Sequence, residues 1–118
     1  MEKYSNAELS AALMIVSSTI SKCEKMLPKF EVGSSQHSLL QNRLRAMYIS
    51  EALILDKPLE PQFSNADLEN ALLPVNSILQ KCAAGQEKHP VDSPTFIRLQ
   101  KIIDAMKIAK TLIQLKVG

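Results

Sequence analysis

Apolar side chains recur in alternating steps of four and three along residues 9–27, at Leu9, Leu13, Val16, Ile20, Cys23 and Leu27. That spacing draws one stripe along a helix packed against partner helices. The same steps return at Leu68, Leu72, Val75, Leu79 and Cys82 and predict a second helix of the same kind. Both stripes follow a helix-start signal. Ser5 with Glu8 three residues on reads as a capping box, and Tyr4 can staple onto Leu9. Ser64, Asp67, Phe63 and Leu68 repeat each part of that device.

Each of these helices runs into a polar stretch with helix breakers, Pro28 to Gly33 in one case and Gly85 to Pro90 in the other. New starts follow at Ser34 and at Ser93 with Pro94 in the first helical position. The helices that begin there carry Leu40, Leu44, Met47 and Ile54, and Leu99, Ile103, Met106 and Ile113. Flanking stripes add Ala46, Ile49 and Leu53, and Ala105, Ile108 and Leu112. At about 100° per residue these positions cover more than half of each helix. The second and fourth helices are therefore expected to be the more buried pair, or to offer a face to another chain. Pro74 falls inside the third helix. Because the apolar period runs on across it, a kink on the solvent side is expected rather than a helix end.

The two halves resemble one another. Tyr4-Ser-Asn-Ala-Glu-Leu9 recurs as Phe63-Ser-Asn-Ala-Asp-Leu68, an offset of 59 (63 − 4). Sliding the chain by that offset aligns 4–57 with 63–116 and gives 21 identities over 54 positions, where unrelated sequences of average composition give roughly 3 or 4. Duplication of a helical hairpin is the economical explanation. The expected fold is all-α: an antiparallel up-down-up-down four-helix bundle built from two tandem hairpins. It forms one domain over 1–118, with repeat 1 at 4–57, repeat 2 at 63–116 and a stiff linker at 58–62.

Composition agrees with a packed core, at 46% hydrophobic and 22% charged residues. With 4% aromatics and no Trp, that core must be filled by Leu, Ile, Val, Met and Ala. The formal charge of +2 supplies no strong field toward nucleic acid or anionic lipid. Nucleic acid is therefore a disfavoured partner, its best candidate face being Lys22, Lys25, Lys81, Lys101, Lys107 and Lys110. No apolar segment follows a basic start at the N-terminus, and the longest apolar run, Ala11 to Val16, is too short to span a bilayer. No membrane association is expected, and two cysteines in such a chain read as reduced core thiols. The cytoplasm is the expected compartment.

Candidate chemistry is sparse. Cys23 and Cys82 fall on helices that are diagonal in such a bundle, so they read as small core residues rather than as a redox pair. Met47 and Met106 sit on apolar stripes as gap-fillers. His37 and His89 do not correspond between the halves and belong to no metal-binding spacing. With three glycines in the chain, no phosphate loop or nucleophile elbow can be traced. No catalytic activity, metal or cofactor is expected.

Two surfaces stand out. The bundle topology brings both hairpin loops to one end, where helix N-termini favour anions; Lys29, Ser34, His37, Lys88, His89 and Ser93 fall there. The plain alternative is two solvated caps. The second surface is the first loop, where Met26, Leu27, Phe30 and Val32 are apolar while Gly85, Gln86 and His89 replace three of them in the second. Its plain alternative is a loop folded onto its own bundle. By elimination the expected function is a small cytoplasmic interaction or regulatory module. Its partner would be another protein, or a second copy docked through the second and fourth helices. The alternative is a binder of a small anionic ligand at the loop end.

Overall fold

A serine caps each of the four main helices, and the positions of those serines fix where the helices begin. A computed structural model describes residues 4–118. Among them α1 spans Asn6–Met26, α2 Ser35–Ile54, α3 Asn65–Gln86 and α4 Pro94–Lys116, with a 3₁₀ turn at Leu27–Lys29 between the first two. The Ser5 and Ser64 hydroxyls accept from the Glu8 and Asp67 amides at 3.1 and 3.2 Å, and each acid returns a bond to the cap N–H at 2.9 Å. Ser34 and Ser93 accept from the amides of His37 and Phe96 at 3.2 Å. Gly33, at φ +92°, sets up the turn into Ser34 in a region that a side chain would strain. α2 closes with Asp56 at φ 55°. The Lys57 and Asp56 amides there reach back to Ala52 O at 2.8 Å and Leu53 O at 3.2 Å, the Schellman arrangement.

The described chain is all-helical, with no strand, and packs as a four-helix bundle. Hydrogen bonds fix the direction within each hairpin. Ser17 and Glu24 on α1 meet Glu51 and Tyr48 on α2, so those helices run antiparallel. The Asn65 side chain at the start of α3 bonds Gly118 beyond the end of α4, at 2.8 Å to its N–H, so that pair is antiparallel too. Around the bundle α1 touches α2 and α4, and α3 touches the same two. Of the diagonals, α2 and α4 meet, whereas α1 and α3 stay apart. The resulting slab measures 43 × 42 × 21 Å, about two helix diameters thick.

Burial follows from that plan. α2 and α4, in contact with three neighbours each, bury Leu40, Leu44, Met47 and Ile49, and Ile103, Met106, Ile108 and Ile113. Most of their wide apolar arcs is thus covered within the chain, while Leu53, Ile54, Leu99 and Leu112 stay half-buried. α1 and α3 bury a narrower set, Ala12, Val16, Ile20 and Cys23, and Leu68, Ala71, Val75 and Cys82. The outer stripe residues Leu9, Leu13, Leu27, Leu72 and Leu79 are only half-buried, because their helices lie on the outside of the slab. Ser50 and Ala109, which the apolar pattern leaves out, are fully buried. The Ser50 hydroxyl donates to Ala46 O at 2.8 Å, which satisfies it inside the core.

Two local features differ from expectation. Pro74 does lie within an unbroken α3, but it is half-buried at the edge of a groove shared with α2 rather than freely solvated. Gly85 does not begin a loop, since α3 continues through Gln86. A Cβ on Gly85 would stand 3.1 Å from Leu99 Cδ1. The glycine is there for the close approach of α4, and Gln86 then holds the two helices together by bonds to Gln100 Oε1 at 2.9 Å and Phe96 O at 3.3 Å.

Candidate functional site

The residues expected to gather at the loop end have different fates. His37 is buried in the first turn of α2, at the position where the second half has Phe96. Lys29, Lys88 and His89 are exposed, and Ser34 and Ser93 are half-exposed. Each serine is engaged within its own hairpin. Ser34 closes on the His37 amide, while Ser93 closes on the Phe96 amide and donates to Pro90 O at 2.8 Å. These bonds account for both serines as helix caps.

The first loop divides in a similar way. Leu27 and Phe30 pack against the core, whereas Met26 and Val32 are exposed. Leu27 and Phe30 anchor the 3₁₀ turn to the bundle. Cys23 and Cys82 are buried free thiols on the two helices that do not meet. Burial pushes both thiols up, against a smaller downward pull from Arg43 on Cys23 and from Arg98 and Arg43 on Cys82. Protonated thiols in such surroundings are poor nucleophiles. Among the described residues no group of three or more His, Cys, Asp or Glu could hold a metal ion. No described helix is long and apolar enough to cross a membrane.

One polar cluster joins α1 to α2. The Tyr48 hydroxyl donates to Glu24 Oε2, and the Ser17 hydroxyl lies 3.5 Å from Glu51 Oε2. The bond to Glu24 comes first in pushing the Tyr48 phenol up to about 12, followed by burial and the charges of Glu24 and Glu51. A pKa raised by folding contributes stability that is complete below the unfolded value of 10.0 and is lost as pH rises through about 12. An ultraviolet titration is expected to show a phenolate step near 12 that Tyr48→Phe removes and Glu24→Gln moves toward 10.0. A Tyr48 that ionises at 10.0 in the unaltered protein contradicts this assignment.

Two of the concave surfaces are grooves between neighbouring helices, and a larger hollow of about 880 Å³ borders the tether around Pro58 and Leu59. One groove, of about 400 Å³, lies between α2 and α3, floored by Ala46 and Ala71 and edged by Leu39, Leu73 and Pro74. The other lies between α1 and α4, floored by Ala12 and Ala105 and edged by Met14 and Ile15. At the offset of 59, Ala12, Met14 and Ile15 correspond to Ala71, Leu73 and Pro74, and Ala46 corresponds to Ala105. The grooves therefore occupy matching positions of the two halves. Alanine on both facing helices leaves a hollow where larger side chains would interdigitate. The rims are wet: Leu39, Leu73 and Met14 are 70%, 73% and 74% exposed. Leu39 and Leu73 flank the first hollow and Met14 the second.

The sequence expectations had not included these grooves. The signal that could have found them is an apolar residue off the main stripe at the same place in both halves, Met14 and Leu73. Taken together, the fold and the grooves define an all-α bundle with two inter-helix clefts. Comparison with protein-family models, with curated proteins and with solved structures finds no match.

Proposed function

We propose that the chain is a non-catalytic cytoplasmic interaction module, descended from a duplicated hairpin, that docks protein segments along its inter-helix grooves. The observation that carries this reading is the pair of matched hollows with highly exposed apolar rims, Leu39 and Leu73 on one and Met14 on the other. Exposed leucine is costly to keep in water, at about 25 cal/mol per Å² of apolar surface. A helix laid into such a hollow recovers that surface, with anchors spaced at one and two turns.

The test is site-specific photocrosslinking in the cell. A benzophenone side chain placed at position 73 or 14 is expected to yield discrete protein adducts. The same group at exposed Lys22, which lines neither groove, is expected to yield none. Equal adduct patterns from all three positions would overturn the reading.

A further inference from the structure

The two grooves match in position but not in charge. The α2–α3 groove is lined by Arg43, Arg45 and Lys81, with Asp67 as the one carboxylate among its lining residues. Asp67 is already engaged. Its carboxylate accepts from the Ser64 N–H at 2.9 Å, a bond that leads in holding it below the usual range, with the Arg45 charge adding to it. Arg45 is thus partly balanced, and Arg43 and Lys81 are left as the excess charge of the groove. In the α1–α4 groove Lys101 and Lys107 face Glu8 and Asp104, two against two. The apolar rims differ as well. Leu39 and Leu73 both edge the α2–α3 groove, whereas the position matching Leu39 in the second half is Arg98.

Building on the interaction-module reading, we propose that the α2–α3 groove is the docking site for an acidic amphipathic helix of a partner protein. Apolar side chains of that helix lie over Ala46 and Ala71 against Leu39, Leu73 and Pro74. Its flanking carboxylates meet Arg43 and Lys81. Leu73 and Lys81 are eight residues apart on α3, which is about 12 Å of helix, so two to three turns of partner span the site. The cations contribute mainly orientation and encounter rate, the apolar contacts most of the affinity. A nucleic acid would use the cations but not the leucines, and Asp67 stands in its way.

The probe is a synthetic helical peptide of about 16 residues, with leucines at i, i+3, i+4 and i+7 and glutamates on both flanks. It is titrated into the isotope-labelled chain while amide shifts are followed. A twin peptide with lysine flanks and a single-stranded oligonucleotide serve as comparisons. The glutamate peptide is expected to move amides within 39–46 and 67–81. Its binding is expected to weaken by at least about tenfold in Arg43→Glu/Lys81→Glu and in Leu73→Asp. Lys101→Glu/Lys107→Glu, in the matching groove, leaves it unchanged. Shifts centred on α1 and α4, or tighter binding of the oligonucleotide to the same amides, overturn the proposal. So does an absence of shifts with either peptide. Equal or better binding of the lysine peptide in the α2–α3 groove overturns the charge assignment alone and leaves groove docking standing, whereas equal crosslinks from groove and control positions remove both.

Discussion

Replacing Met47 and Met106 together by alanine is expected to leave the chain largely unfolded at 25 °C, while each single replacement remains folded but destabilised. Both methionines are 0% exposed, at matching positions of α2 and α4. Truncating a buried methionine removes its transfer free energy and leaves a cavity, about 2–5 kcal/mol in well-packed sites. A domain of this size has about 5–15 kcal/mol in total. Two such losses approach that total even if the sites relax toward each other. Urea denaturation measures the effect through the midpoint at constant slope. A single-variant loss below about 1 kcal/mol would mean that the α2–α4 interior collapses around the gap and is not tightly packed.

The second large effect separates two neighbours on α3. Val75 is 0% exposed and Leu73 is 73% exposed, on either side of Pro74. In Val75→Asp the carboxylate has no partner in an apolar interior, and burying it charged costs several kcal/mol. It avoids part of that cost by taking up a proton, which raises its pKa in the folded state. A raised folded-state pKa means that stability is highest below the unfolded value and falls as pH rises through the folded one. Val75→Asp is therefore expected to be unfolded at pH 7 and to recover structure toward pH 4 (about the ordinary Asp value). Leu73→Asp is expected to change stability by no more than about 0.5 kcal/mol. Circular dichroism against pH reads both, and equal behaviour of the two variants would show that the assigned face of α3 is wrong.

The legible parts of this molecule were those with a strong local signal. Four cap serines located four helix starts, because a hydroxyl before a helix has a defined donor to satisfy. Val16, Ile20, Cys23, Val75 and Cys82 were readable as interior because they recur at helical spacing. Small residues escaped notice: Ala12, Ala71, Ser50 and Ala109 are buried but carry too little hydrophobicity to mark a stripe. Half of each groove floor, Ala71 and Ala12, is therefore invisible in the pattern, whereas Ala46 and Ala105 opposite them fall on the expected stripes. The burial of His37 is hard to read for a related reason. A histidine in a first helical turn suggests surface chemistry, and only its correspondence with Phe96 hints at burial. The unbroken apolar period shows that the helix continues through Pro74, but not that Pro74 borders a groove.

The contact between α2 and α4 has a further consequence. Each hairpin contributes one outer and one inner helix, and neither hairpin can cover its own inner helix. The chain is in effect a pair of complementary fragments joined by the tether at 55–64. Even a fully flexible connection of this length would present each fragment to the other at an effective concentration on the order of millimolar, and here Leu59 and Phe63 pack against the core. Association of the halves therefore becomes an intramolecular step, and a cut in the tether would turn one cooperative domain into two mutually dependent chains.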